Sequence, residues 1–471
     1  MAEQGATTIW ELWNGDKARP SMNSGNHVML LGDLLPWCYQ YLGGIRQTSG
    51  TAYKHFELRP DFSIDGCDHV RCSFRTPYGD ILSEWTKTQR HIDWKIAIPC
   101  NTTADVYLPD GTKKTLGSGC YTFSADMPAR HPAITKDEFL YTSAPFASPH
   151  AATLVETRRG DLVCAYFGGT YERNPDCNIW VNIKEKGSNV WSKPILADDG
   201  DGTACWNPVL TEMPDGELWL FYKIGKTVQD WTGWLVRSRD GGRTWTPREP
   251  LPAGFLGPIK NKPLLIDDRL VCGSSTEKGG WRFHVEIYDL KTHQWKYVGP
   301  IESTVATKTD DGQPHPIDCI QPSILQLKDG RLQVLMRTHN ARLATSYSSD
   351  GGDTWTPVTL TDVENNQSGT DAVTLRDGRH VLVYNNFETL PLTKKGPRTP
   401  LSIAISDDDG HSWRHMLTLE DSPVGQYSYP AIIQGRDGTL HVAYTWQRKR
   451  IAYKQIDLNR IIHAQLRGKS N

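Results

Sequence analysis

An eight-residue pattern, S-x-D-x-G-x-[ST]-W, occurs three times in this chain and narrows its possible folds more than any other feature. The copies are SRDGGRTW (Ser238 to Trp245), SSDGGDTW (Ser348 to Trp355) and SDDDGHSW (Ser406 to Trp413). Two degenerate copies keep mainly the tryptophan, at Trp191 and Trp295, so the five tryptophans are 54, 50, 60 and 58 residues apart. A second signal runs in step: an Asp-Gly-type turn followed by alternating apolar residues recurs six times, at Arg159, Asp215, Asp267, Asp329, Asp377 and Asp437. Each turn follows another short apolar run, so each unit is a β-hairpin. Intervals of about 50 to 60 residues leave room for two more strands per unit, which predicts a six-bladed β-propeller of four-stranded blades. The box itself has a structural cause. Its Asp and Gly close a tight turn, and its Trp packs between neighbouring blades. It lacks the ligand spacing of a calcium loop.

Composition excludes several partners. The 471 residues carry 52 basic and 54 acidic side chains, so no basic footprint for nucleic acid and no polybasic anchor is expected. No run of 18 apolar residues exists, which argues against insertion in a membrane. Met1 to Ala6 lacks a signal-peptide pattern, so the default expectation is cytoplasmic. Ten cysteines without a CxxC pair read as free thiols, with no metal and no cofactor expected.

The first part of the chain lacks the repeat. Met29 to Ile45 has helical periodicity interrupted at Pro36, and from Asp68 short strands suggest a small antiparallel β-sandwich. TTIWELWNG (Thr7 to Gly15), PSMNSGNHVMLLGDLLPW (Pro20 to Trp37), FELRPDF (Phe56 to Phe62) and FRTPYGDILSEW (Phe74 to Trp85) resemble the end of bacterial α-L-rhamnosidases of the (α/α)6-barrel type. IPCNTTADVYLP (Ile98 to Pro109) resembles that family's C-terminal β-sandwich. The resemblance implies that Glu11 corresponds to the family's general base and His27 to a sugar-site histidine. The second carboxylate that such chemistry needs would come from helices that this segment does not contain. The expected organisation is a barrel remnant over 1–50, a β-sandwich over 51–127, a linker over 128–145 and the propeller over 146–462.

From about Ala144 to Ile462 the chain resembles BNR-repeat, sialidase-like propellers. The resemblance is carried by SPHAATLVE, AYFGGTYERNPD, CWNPVL, LGPIKNKP, IQPSIL, SGTDAVTL and YSYPAI. The branch also resembles propeller enzymes acting on rhamnosyl-glucuronate ends. The family implies a carbohydrate substrate, an oligosaccharide or polysaccharide. One departure is chemical: where sialidases carry the Arg of an Arg-Ile-Pro motif, this chain has His150. An imidazole does not grip a carboxylate as an Arg fork does.

A propeller's inner strands start at one funnel, and polar or aromatic residues stand there: His150, Asn207, Asn261 with Lys262, Gln321, Asp371 and Tyr429. Arg173 and Asp176 follow the first hairpin; Lys223, Glu277, Arg337, His339, Asn386 and Arg448 follow later ones. The catalytic candidates are His150, which titrates near neutrality, Asp371 as a general acid, and Tyr429 beside Glu277 as nucleophile or base. The substrate-binding candidates are Asn207, Asn261, Lys262, Gln321, Arg337, Arg448 and Asp176, with Arg337 and Arg448 suited to a sugar carboxylate. Three activities fit: an exo-acting, sialidase-like hydrolase on terminal acidic sugars, a rhamnose–glucuronate lyase working by β-elimination, or a glycan-binding module without turnover.

Overall fold

The computed structural model describes residues 30–48, 50–64, 67–88, 91–126, 131–303, 306–308, 314–387, 396–422 and 425–461. The chain divides into two compact units, Met1–Ala129 and Arg130–Asn471. Glu11 and His27 lie outside the described residues.

In the first unit a short helix, Leu30–Trp37, contains Pro36 and continues as a π-helical turn over Cys38–Leu42. Proline removes one N–H from the helical ladder and crowds the preceding turn, and the regular helix stops one residue after it. Two four-stranded sheets follow, one starting with Ile45–Gln47 and the other with His69–Thr76. His91–Ile98 alternates exposed and buried along most of its length, the period of a strand with one face on a core. Phe56, Leu58 and Val106 from one sheet meet Ile81, Trp85, Trp94 and Ile96 from the other in a single core. The unit is a β-sandwich.

The second unit contains six four-stranded sheets, called sheets one to six here in chain order. Their first strands are Ser148–Glu156, Cys205–Glu212, Leu264–Ile266, Cys319–Gln326, Asp371–Thr374 and Tyr427–Gln434. Within each sheet every strand pairs antiparallel with the next along the chain. Sheet six is completed differently: its outer strand is Ile134–Phe139, from the start of the unit, paired with Arg450–Ile456. The strands are buried on both faces, as in Leu162–Gly169, where every residue is buried. Shared cores join neighbouring sheets, one with two, two with three, three with four, four with five, five with six and six with one.

The three boxes do the work expected of them. In each, the first Ser donates to the Asp and accepts the N–H of the Gly at the fifth position, while the Asp also accepts from the following Thr or Ser. The tryptophans fall in the shared cores: Trp245 between sheets one and two, Trp355 between three and four, Trp413 between four and five. Trp191 and Trp295, the degenerate copies, occupy the corresponding places at the six–one and two–three junctions. Asp350→Ala removes three bonds, from Ser348 Oγ (2.8 Å), Thr354 N (2.9 Å) and Thr354 Oγ1 (2.5 Å). The expected loss is about 1–2 kcal/mol in a urea titration, with no effect on any activity measured well below the transition.

All ten cysteines are free thiols. Among the described residues, no helix is long and apolar enough to cross a membrane.

Candidate active site at the strand bulges

Four of the six first strands share one irregularity. The pairing register slips between His150 and Thr153, Trp206 and Val209, Ile320 and Ser323, and Ser428 and Ala431. Inside each slip one residue has positive φ: Ala151 (58°), Asn207 (37°), Gln321 (59°) and Tyr429 (52°). Such bulges bend a strand and re-aim a side chain. Left-handed backbone is rare for a bulky residue and persists only where the surroundings impose it. The slips also correct the register expected from sequence. His150 is the counterpart of Trp206, Ile320 and Ser428, and Ala151 is the counterpart of Asn207, Gln321 and Tyr429.

Tyr429 is the centre of the cluster. Its hydroxyl oxygen accepts from Arg337 Nη1 (3.0 Å) and from Gln321 Nε2 (3.1 Å). The Arg398 guanidinium lies 5.4 Å and the Lys260 ammonium 5.8 Å from the ring centroid. Burial alone would raise the phenol pKa, but Arg337, Arg398 and the Gln321 bond together hold it below the usual 10. Neither Arg337 nor Arg398 has a carboxylate partner among the described residues. Burial, with Arg337 and Arg448 nearby, brings even Arg398 down to about 10. Crowded, uncompensated cations around a phenol make a place for an anion.

The His150 ring lies against Tyr429 at a tilt of 46°, with ring centroids 4.1 Å apart. Its Nδ1 meets Thr445 Oγ1 at 2.9 Å, and the same oxygen accepts from Ala151 N at 3.2 Å. The ring is buried, and burial plus the charges of Arg448, Arg398, Lys260 and Arg337 push its pKa well below 6.5. At neutral pH His150 is therefore an uncharged imidazole, able to accept a proton or donate a neutral hydrogen bond but not to serve as an acid.

Other candidates are committed elsewhere. Asp371, read from sequence as a general acid, has its side chain 3% exposed and accepts from Lys262 Nζ (3.0 and 2.9 Å), Ser323 Oγ (3.3 Å), its neighbour's Ala372 N (2.9 Å) and Ile432 N (2.8 Å). Lys262 gives its remaining bond to Ala372 O at 2.8 Å, which leaves it no donor for a sugar carboxylate. Asn261 is buried and donates to Gln321 O (3.0 Å) and Ser323 Oγ (2.9 Å). Asp176 closes its own loop, accepting from Thr170 N (3.0 Å) and Thr170 Oγ1 (2.6 Å). Arg448 is ion-paired with Glu172. Glu277 accepts from Trp281 Nε1 at 3.1 Å, and the Trp281 ring carries the Arg337 guanidinium at 4.8 Å and stacks on His339 at 3.7 Å. Arg337 and Gln321, not Glu277, sit on the Tyr429 hydroxyl. Asn207 keeps the bulge position in sheet two with no side-chain bond to a described residue.

Three residues of the cluster were not singled out from sequence: Lys260, Arg398 and Glu172. Lys260 precedes the Asn261–Lys262 pair by one residue. Arg398 lies in PRTP, ahead of the third strand of sheet five, where neither strand starts nor hairpin ends point. Its position between two prolines was the available signal. Glu172 precedes Arg173 in the loop after the first hairpin, pairs with Arg448 and acts electrostatically on Tyr429.

Similarity to known proteins agrees with this division of the chain. A profile described as a BNR repeat-like domain matches residues 160–442. Profiles of the bacterial alpha-L-rhamnosidase C-terminal domain and of its 6 hairpin glycosidase domain match residues 44–121 and 1–42. An alpha-L-rhamnosidase of Formosa agariphila is 32% identical over 118 residues, 24% of this chain and 12% of its own length. An anhydrosialidase of Macrobdella decora is 24% identical over 274 residues, 51% of this chain and 34% of its own. The chain thus spans about an eighth of the first relative and a third of the second. The NanB sialidase structure from Streptococcus pneumoniae superposes with a TM-score of 0.55 at 13% identity, covering 81% of this chain and 84% of that one. At that identity the likeness is one of fold, a sialidase-like β-propeller.

Proposed function

Because the chain belongs to the BNR repeat-like domain family, we propose that its six sheets close into a six-bladed propeller whose first strands form an active site for a terminal acidic sugar. Support for closure comes from Ile134–Phe139 completing sheet six and from the shared core between sheets six and one. The activity proposed is that of an exo-acting, sialidase-like glycoside hydrolase. One observation carries it: the Tyr429 oxygen accepts two hydrogen bonds beside two arginines that lack a carboxylate partner among the described residues.

In this reading the sugar's carboxylate takes the place between Arg337 and Arg398, in charge-assisted bonds. The carboxylate fixes the ring so that the anomeric carbon faces Tyr429. Arg337 and Gln321 stabilise the phenolate, which attacks that carbon, as tyrosine does in sialidases. The aglycone oxygen leaves with a proton taken from solvent water, while the ionised Glu172, paired with Arg448, raises the basicity of Tyr429 by its charge. Water then releases the sugar. Asn207, at the same bulge position in sheet two, offers an amide to the substrate's hydroxyls. Asp371 and Lys262 hold the frame in this reading and take no part in the chemistry. The first unit, with its rhamnosidase likeness over residues 1–42 and 44–121, favours a plant-type glycan containing rhamnose.

A second reading is favoured by one specific feature, that the Tyr429 hydroxyl bonds the Arg337 guanidinium and the Gln321 amide and, among the described residues, no carboxylate. A lyase needs a neutralised uronate carboxylate and a base at the adjacent C–H. Arg337 with Arg398 meets the first need, and Tyr429 with the uncharged His150 the second. Rhamnosyl-glucuronate and sialyl oligosaccharides separate the readings. Free sugar without ultraviolet absorbance of an unsaturated uronate is expected for the hydrolase. A rise in that absorbance gives the lyase, and binding without any product gives a lectin-like module and ends the enzymatic proposal.

Arg398→Met tests the anion site directly. Loss of one charge-assisted contact is worth about 1.5–3 kcal/mol, so KM is expected to rise roughly ten- to hundredfold. The methyl ester of the same substrate should not distinguish the variant from the unaltered chain. Equal effects on acid and ester would remove the carboxylate from the reading.

A further inference from the structure

We propose that Lys260 is a positioning residue that fixes both the place and the charge of Tyr429, a role that rests on the reading of Tyr429 as the reacting group. Lys260 is 3% exposed. Its ammonium donates to Asn261 Oδ1 (2.8 Å), Thr370 O (2.9 Å) and Pro430 O (2.5 Å). These acceptors come from three places: the segment entering sheet three, the segment entering sheet five, and the residue that follows Tyr429 in sheet six. An ammonium has three N–H donors and no acceptor, so three acceptors match its charged form. A neutral amine would turn a lone pair towards one of these oxygens.

Tyr429 stands at φ 52°, a conformation that a bulky side chain does not hold unaided. Lys260 holds it from behind, through the Pro430 carbonyl. The neighbouring Asn261 holds the second bulge in the same way, through Gln321 O and Ser323 Oγ. Gln321 and Tyr429 are the two bulge residues whose side chains bond each other at 3.1 Å. The Lys260–Asn261 pair thus sets the distance between them.

The position also carries charge. Lys260 Nζ lies 5.8 Å from the Tyr429 ring centroid. Burial pulls Lys260 down to about 7, Asp371 pulls it up, and Lys262 and Arg337 pull it down. The charged and titratable groups that face this region are Asp371, Lys262, Arg337, Arg398, Arg448, Glu172, His150 and Tyr429. Loss of the Lys260 proton as pH rises removes a cation from beside the phenol and one of the three bonds that hold the bulge. The ionisation of Tyr429 is then opposed as pH rises past the Lys260 midpoint.

The test reads the phenol without needing a substrate. Ultraviolet titration of the whole chain minus that of Tyr429→Phe gives the Tyr429 curve. Lys260→Met, against Lys260→Met with Tyr429→Phe, gives the curve without the ammonium. The expected result is an upward move of the Tyr429 curve, largest below the Lys260 midpoint where the ammonium is still charged, with Lys260→Arg, which keeps its charge, returning part of it. On a glycan that is turned over, Lys260→Met lowers kcat about 30-fold or more and leaves KM within about threefold. Carbon NMR of Tyr Cζ and Lys Cε in the unaltered chain covers the case in which Lys260→Met does not fold, because Tyr429 should then show a second inflection at the Lys260 midpoint. A Tyr429 titration unchanged in Lys260→Met, or one without that inflection, overturns the proposal. A coupled titration in a chain that turns over no acidic glycan supports Lys260 and sinks the enzymatic reading instead.

Discussion

Tyr429→Phe is expected to lower kcat on an acidic oligosaccharide by about 10^3-fold or more while leaving binding of the free acid sugar within about threefold. The substitution removes one oxygen. The ring stays, and with it the tilted contact with His150 and the cation contacts of Arg398 and Lys260. Arg337 loses one acceptor but keeps Gln321 Oε1, at 3.4 Å. The anion site therefore survives and the reacting atom does not. Calorimetry on the free sugar and initial rates on the oligosaccharide check the two halves separately. The pH profile carries the sign. The Tyr429 phenol is held below 10 by Arg337, Arg398 and Gln321. If the phenolate is the reactive form, kcat/KM rises with pH through a midpoint below 10. His150, depressed well below 6.5, is already uncharged there and contributes a limb only on the acid side. A variant that keeps more than a tenth of the rate would take Tyr429 out of the chemistry and return the choice to His150.

The repeat made the architecture readable because its causes are local. A box turn is closed by its own Ser, Asp and Gly, and each box Trp fills the seam beside it. The hairpins announce themselves by alternation and by Asp-Gly turns. The site is less readable because its geometry comes from bulges. Each slip shifts the strand by a residue. The simple count of strand starts placed His150 level with Tyr429, where the structure has Ala151. Arg398 is hidden in the sequence for a related reason. It reaches Tyr429 from ahead of a third strand, and only the folded chain brings PRTP beside YSYPA. Asp371 and Lys262 mark the opposite limit. A buried carboxylate and a nearby lysine in first-strand segments read as chemistry from sequence, and they pair with each other. Spacing along a strand identifies which residues face the centre. It does not say which of them already have partners there.

That pairing sets the largest expected effect on stability. Asp371→Ala is expected to destabilise the second unit by about 3–5 kcal/mol, the cost of removing one partner from a buried, hydrogen-bonded ion pair. Against a typical total of roughly 5–15 kcal/mol, this is a third or more of the whole. The carboxylate joins four sheets: Lys262 precedes sheet three, Ser323 is in sheet four, Asp371 opens sheet five, and Ile432 N–H belongs to sheet six. Alanine leaves the Lys262 ammonium with Ala372 O alone and leaves the Ile432 N–H without an acceptor. It also removes the anion that favours the charged form of Lys260. Asp371→Asn keeps the shape but brings an amide N–H against either the ammonium or the Ile432 N–H, so it should recover little. Lys262→Met added to Asp371→Ala removes the stranded charge and should restore about 1–2 kcal/mol of the loss, since an uncharged replacement of a buried pair is often near neutral. Chemical unfolding of the three variants gives these differences, and a second measurement separates the frame from the chemistry. A proton donor replaced by alanine would abolish turnover and leave the unfolding midpoint where it was. A frame residue does the reverse in order of cause: the midpoint falls first, and turnover follows only as the folded fraction does. Turnover lost in full by a variant with an unchanged midpoint would make Asp371 the acid after all.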